Sequence, residues 1–269
     1  MRSPKVSIIM GIYNCENYLS ESIDSILNQT FQDWELIMCN DGSTDNTLNI
    51  AQKYKEMYPD KIIVIQNERN MGLNYTLNHC LSVARGEYIA RQDGDDISVY
   101  NRLEKEVKFL DDNIDYAFIG TNMIFFDSNG DWGKTSAVNN PTKYNFIHGT
   151  PFCHATCVIR KQIFDVVQGY TVDEKLLRVE DYHLWFKIYS KGYKGHTLKE
   201  CLYKMRDDRD ATRRRTFKFR INEARVKYIG FKMLNIPYRK YIYIIRPILV
   251  GLLPINLYEY FHRKRLKSK

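Results

Sequence analysis

Four short apolar runs alternate with amphipathic stretches through the first third of the chain, and that alternation leaves few folds open. Val6-Ser7-Ile8-Ile9-Met10, Trp34 to Cys39, Ile62 to Ile65 and Glu87 to Gln92 read as strands. Between them, Tyr18 to Leu27 puts Leu19, Ile23, Ile26 and Leu27 at helical spacing. Asp45 to Tyr58 reads as a helix capped by Ser43 or Thr44, and Leu73 to Val83 as a third helix. Strands joined through helices pair in parallel by right-handed crossovers, so the expected body is an α/β sheet, mainly parallel, with helices on both faces. Such sheets bind ligands beyond the carboxyl ends of their strands.

The polar residues collect at that edge. Gly11-Ile12-Tyr13-Asn14 follows the first strand, Asn40-Asp41-Gly42-Ser43-Thr44-Asp45 the second and Asp93-Gly94-Asp95-Asp96 the fourth. Each loop alone has an ordinary explanation: a strand-to-helix turn with a Ser/Thr cap, a solvated acidic turn, a half-buried tyrosine. Their convergence favours a binding site. Three carboxylates within four residues repel one another unless a cation neutralises them, and Mg²⁺ is usually held by one or two carboxylates together with substrate phosphates. An Asp at the depth of Asp41 can accept the imide N–H of a uracil, and Tyr13 can stack on a base.

Charge separates the chain into two parts. Residues 201–269 carry 19 Lys/Arg against 5 Asp/Glu, leaving 21 against 27 for the first 200, so a net charge of +8 conceals an acidic-leaning body and a basic tail. Nucleic acid, anionic lipid and phosphorylated substrates all attract such a tail. No recognised nucleic-acid module supports the first of these. Met1 to Lys5 lead into too few apolar residues for a signal peptide or a membrane span, which predicts a cytoplasmic protein. Cysteines 15, 39, 80, 153, 157 and 201 form no disulfide framework. Cys153 and Cys157 with His148 and His154 lack the second Cys pair expected of a zinc site.

Val-Ser-Ile-Ile-Met-Gly-Ile-Tyr-Asn (6–14), Asn-Asp-Gly-Ser-Thr-Asp (40–45), Asn-Met-Gly-Leu (70–73), Gly-Glu-Tyr-Ile-Ala-Arg-Gln-Asp-Gly-Asp-Asp (86–96) and Glu180-Asp181 resemble, in order, the motifs of family 2 glycosyltransferases with a GT-A fold. The match covers roughly residues 4–205. Gly149 to His154 and Tyr241 to Pro247 further resemble the exopolysaccharide, capsule and O-antigen branch. The resemblance implies a catalytic nucleotide-sugar domain over 1–205 and a basic, partly apolar helical extension over 206–269. It implies inverting transfer of a sugar, usually from a UDP-sugar, to a hydroxyl of a polysaccharide or lipid-linked acceptor.

Roles follow from that resemblance and from the chemistry. A Mn²⁺ or Mg²⁺ on the diphosphate stabilises its departure; Asp95 is the first choice as ligand, Asp93 ligates as well or contacts the ribose, and Asp96 supports the loop. Tyr13 and Asp41 hold the base. Inversion requires a general base opposite the leaving group. Asp181 fits, with Glu180 contacting the acceptor, although Asp181 also reads as the N-cap of a helix over Tyr182 to Ile188. His154, just before an expected strand Cys157 to Ile159, is either a core histidine or a substrate contact. Arg206 and Arg213-Arg214-Arg215 suit a basic flap over the diphosphate; where family members often carry a His, this chain has Asp207-Asp208.

Other classes fit less well. A sugar-phosphate nucleotidyltransferase needs a Gly-rich cationic loop after its first strand, and a haloacid-dehalogenase-type phosphatase needs its Asp-x-Asp there; this chain has neither. A non-catalytic regulatory protein on the same scaffold would have no need of every expected carboxylate. Acceptor recognition is expected in residues 123–150. Tyr241 to Pro254 is the most apolar stretch, broken by Arg246, Pro247 and Pro254 and flanked by basic residues, as expected of an interfacial segment on the anionic inner face of the cell membrane or of helices packed on the body.

Overall fold

The structure is a computed structural model that describes residues 3–207 and 217–254, together with Leu257, Tyr258, Tyr260, Phe261, Lys264 and Leu266. Its strands are β1 (Val6–Ile12), β2 (Trp34–Asn40), β3 (Ile62–Gln66), β4 (Tyr88–Arg91), β5 (Ile97–Ser98), β6 (Phe118–Asp127), β7 (Gly130–Lys134), β8 (Val158–Arg160) and β9 (Gly195–Arg206). Its α-helices are α1 (Leu19–Leu27), α2 (Thr47–Met57), α3 (Leu73–Val83), α4 (Arg102–Asp112), α5 (Lys161–Val167), α6 (Glu180–Ser190), α7 (Phe217–Met233) and α8 (Arg246–Gly251).

The sheet runs β3-β2-β1-β4-β8-β6-β9-β5, with β7 paired to β6. The expected parallel order holds from β3 through β4. Beyond it the sheet is mixed, because β8 enters antiparallel between β4 and β6 while β6 and β9 run parallel. Since β1 lies between β2 and β4, the chain reverses direction across the sheet at the β1–β4 boundary, the place where the loops leaving two neighbouring strands part and open a crevice.

Alternation along the strands divides the core into two layers. Ile8, Met10, Leu36, Met38 and Ala90 face one side with Leu19, Ile23, Leu103, Val107 and Leu110 of α1 and α4. Ile9, Ile37 and Ile89 face the other with Leu77, Ile163, Leu184, Trp185 and Phe186 of α3, α5 and α6. A strand buried on both faces must be apolar nearly throughout, as β1 is. Helix α7 joins this second layer: Val226, Phe231, Leu234 and Ile236 belong to it, and a Cβ on Gly230 would stand 2.2 Å from the Phe186 ring. Residues 217–236 therefore complete the core over α6.

Candidate active site

The loops after β1 and β2 are locked together. Asn14, whose φ is 47°, accepts at Oδ1 from the Thr44 N–H (2.9 Å), the Cys15 N–H donates to Thr47 Oγ1 (2.8 Å), and the Asn46 N–H donates to Glu16 Oε2 (2.8 Å). The N-cap of α2 is Asn46, not Ser43 or Thr44; Asp45 instead accepts from the Thr47 N–H at 3.0 Å, and Ser43 and Thr44 spend their polar groups on the Asn14 loop. Gly42 has φ 73°, and a Cβ there would meet the Asn70 backbone nitrogen at 2.8 Å, so this tight approach requires glycine.

Tyr13 stands at the rim with its ring about half exposed. Asp41 lies deep and is braced to the loop after β3: Oδ1 accepts from Asn67 Nδ2 and the Met71 N–H, both at 2.8 Å, and Oδ2 from the Gly72 N–H at 3.0 Å. A carboxylate offers about four acceptor positions. One on Oδ2 remains for a ligand.

The acidic loop after β4 is built on Gln92, which is fully buried. Its Nε2 donates to Asp93 O (3.2 Å) and Asp96 O (2.9 Å), while Oε1 accepts from Ser98 Oγ (2.7 Å). Beneath it, fully buried Arg102 donates to the Arg91 carbonyl (2.9 Å), Ser98 Oγ (2.8 Å) and Glu106 Oε2 (2.9 Å). Asp93 is half-buried, Asp95 exposed and Asp96 buried. Burial and the charges of Asp93 and Asp95 hold the Asp96 carboxyl well above the usual range, although the Arg206 N–H donates to it at 2.8 Å. That crowding is what a divalent cation would relieve. Among the described residues no group of three or more His, Cys, Asp or Glu side chains converges to hold a metal unaided. The donor set fits a cation that takes Asp95 and Asp93 and completes its shell with ligand oxygens.

Arg206, expected to close over a diphosphate, is placed beside the acidic loop. Its guanidinium lies between the rings of Tyr18 (4.2 Å) and Phe126 (4.4 Å), donates from Nε to the Asp95 carbonyl (3.0 Å) and pairs with Glu21. It clamps the acidic loop. Arg213, Arg214 and Arg215 lie outside the described residues, as does Asp208.

Asp181 and Glu180 stand in the first turn of α6. Val179 occupies the N-cap, so Asp181 is not the cap residue. Burial first, then the charge of Glu180, pushes Asp181 up to about 7, against the opposing pull of the Tyr182 N–H and of Arg91. His154 does not face open solvent: it is buried, with Nδ1 against Arg91 Nη1 and Nε2 2.9 Å from the Tyr170 hydroxyl. Its contacts are protein groups rather than a substrate surface. Sequence reasoning assigned no role to Gln92, Arg102, Tyr170 or Arg91; the only signal was two buried polar side chains, Arg91 and Gln92, closing an apolar strand.

The geometry can be set beside known proteins. Residues 7–167 match the model described as glycosyl transferase family 2. A putative glycosyltransferase of Bacillus subtilis, EpsE, is 45% identical over 99% of this chain and 96% of its own length. An Escherichia coli UDP-Gal:alpha-D-GlcNAc-diphosphoundecaprenol beta-1,3-galactosyltransferase is 31% identical over 98% of each chain. The crystal structure of residues 1–349 of S. aureus TarS in complex with UDP shares the fold, with a TM-score of 0.67 at 22% identity over 92% of this chain and 70% of that one. With 45% identity sustained end to end and the family model spanning the nucleotide-side strands, this chain belongs to glycosyl transferase family 2.

Proposed function

We propose that this enzyme transfers a sugar, with inversion, from a UDP-sugar to a hydroxyl of a lipid-linked or polysaccharide acceptor. One observation carries the reading: an acidic loop beyond β4 and a carboxylate raised to about 7 at the start of α6 share the field of one buried arginine, Arg91. The E. coli relative's undecaprenyl-diphosphate acceptor supports the acceptor class. In this reading Tyr13 and Asp41 receive the base, and Asp93 and Asp95 hold Mn²⁺ or Mg²⁺. When bound, that ion stabilises the charge growing on the diphosphate. Asp181 takes the proton of the acceptor hydroxyl as its oxygen attacks the anomeric carbon, and the bond from that carbon to the diphosphate oxygen breaks on the opposite face. Glu180 contacts the acceptor and keeps the base's pKa near working pH. The test is a panel of nucleotide-sugars with a synthetic sugar-diphospho-lipid and Mn²⁺. Acceptor-dependent release of UDP is expected; release of only another nucleoside diphosphate would exclude the UDP-sugar donor.

We further propose that the enzyme meets such an acceptor by lying on the membrane. No helix among the described residues is long and apolar enough to cross a bilayer. After α7 packs on the body, however, Tyr238, Ile242, Ile245, Leu249 and Leu252 are left 85%, 68%, 50%, 58% and 68% exposed, interleaved with Arg239, Lys240 and Arg246. Apolar anchors among basic residues suit an anionic interface, each cation adding about 1 kcal/mol. Full-length protein is expected to float with anionic but not neutral liposomes, and salt should weaken it. Ile242→Asp with Leu249→Asp should abolish flotation without unfolding the body; undiminished flotation would refute the assignment.

A further inference from the structure

Arg91 is a buried positive group on which both Asp93 of the acidic loop and Glu180 of α6 act. Its guanidinium is 9% exposed and donates from Nε (3.0 Å) and Nη2 (2.8 Å) to Asp93 Oδ1. Both bonds fall on one oxygen, Oδ1. Its remaining terminal nitrogen, Nη1, meets His154 Nδ1. The backbone is held too: the Arg91 N–H donates to the Cys157 carbonyl (3.1 Å), and the Arg91 carbonyl accepts from Arg102 (2.9 Å).

The proton positions along this chain follow from valence. A guanidinium has donors and no acceptor, so His154 Nδ1 must accept. The ring is then the neutral Nε2–H tautomer, and Nε2 donates to the Tyr170 hydroxyl 2.9 Å away. Burial and the Arg91 charge keep His154 well below its ordinary pKa, in agreement with that tautomer. Tyr170, accepting from His154, keeps its own O–H proton to donate. The negative groups acting on Tyr170 include Glu180 and Asp93, and Glu180 also acts on Arg91. Asp93, Arg91, His154 and Tyr170 thus form one directional chain that runs from the acidic loop into the buried core, with Glu180 among the charges acting on both Arg91 and Tyr170.

We propose that Arg91 is a positioning residue that fixes the Asp93 carboxylate for the donor diphosphate, with His154 holding the guanidinium in place. The proposal rests on the glycosyltransfer reading given above. A lysine could supply the charge, but not two bonds to Asp93 and a third to His154 from one rigid plane.

The test uses the full-length protein and separates loss of packing from loss of the bond. His154→Leu keeps an apolar body in the cavity and removes the acceptor from Arg91. His154→Asn keeps an acceptor close to the position of Nδ1. Calorimetry of UDP with and without Mn²⁺, kcat and KM for the donor, and thermal unfolding are measured for each. His154→Leu is expected to lower kcat roughly 10–100-fold, as misplacement of site groups does, and to weaken the Mn²⁺-dependent part of UDP binding. His154→Asn should recover most of both. Arg91→Lys should lose kcat as His154→Leu does while its unfolding midpoint stays near wild type. Equal loss in the Leu and Asn variants, or wild-type kcat in the Leu variant, overturns the proposal. If the wild-type protein itself shows no Mn²⁺-dependent UDP binding, the cation-bridged part of the functional reading fails and the proposal with it.

Discussion

Asp181→Asn is expected to reduce turnover by roughly 10²–10⁴-fold while UDP affinity stays within about twofold, the signature of a lost general base. The substitution preserves shape and removes only proton affinity. Because Val179 and not Asp181 is the N-cap of α6, no cap is lost. The pH dependence sharpens the test. With Asp181 pushed up to about 7, kcat/KM in the wild type should fall as pH drops below that value. Stability runs the other way. The native carboxyl holds its proton up to about 7 whereas the unfolded one releases it near 3.8, so between those values the native state binds more protons and stability declines as pH rises. Asn removes that decline, so at pH 8 the variant should unfold no earlier than wild type. Turnover within twofold of wild type would take Asp181 out of the mechanism.

Asp95→Ala is expected to abolish the metal dependence of UDP binding and to lower turnover on the order of 10²-fold, since a cation on the leaving group contributes several kcal/mol to the transition state. Asp95 is exposed at the tip of its loop, whereas Gln92, Arg102 and Arg206 hold the loop from beneath and beside it, so the alanine variant should fold normally. Calorimetry with Mn²⁺ and with chelator separates the two effects. Equal UDP affinity in both conditions for the wild type would dismiss the cation, and unchanged Mn²⁺-dependent affinity in the variant would dismiss Asp95 as its ligand.

Much of the nucleotide side was legible. Apolar runs of strand length between helix-length amphipathic stretches define β1 to β4, and the observed α1, α2 and α3 differ from the expected helices by at most two residues at an end. The second half of the sheet was not. In β6, Thr121 and Asn122 interrupt the apolar pattern with buried side chains that are hydrogen-bonded inside, Thr121 Oγ1 donating to the Asn122 carbonyl and Asn122 Oδ1 accepting from the Thr135 hydroxyl, so no period shows in the sequence. Helix α7 carries basic residues around an otherwise ordinary packing face, which hides its role as a core element. The surroundings of Arg206 were hidden for a related reason. Its chemistry suits a phosphate, but its assignment depends on Tyr18, Glu21 and Phe126, which only folding brings to it. His154 was ambiguous from sequence because a buried histidine and a substrate histidine differ only in what surrounds them.

The close contact of Gly230 with Phe186 has a consequence for dissection of the enzyme. α6 carries Asp181 at one end and receives α7 along its flank, so a chain shortened near residue 205 would strip the cover from the helix that bears the proposed base. Such a fragment would retain every loop expected to touch the nucleotide and yet fail in turnover, and it would invite the false conclusion that the missing tail takes part in the chemistry. Chimeras that exchange tails between relatives should therefore be joined after Ile244, beyond the residues that pack on the core shared with α6.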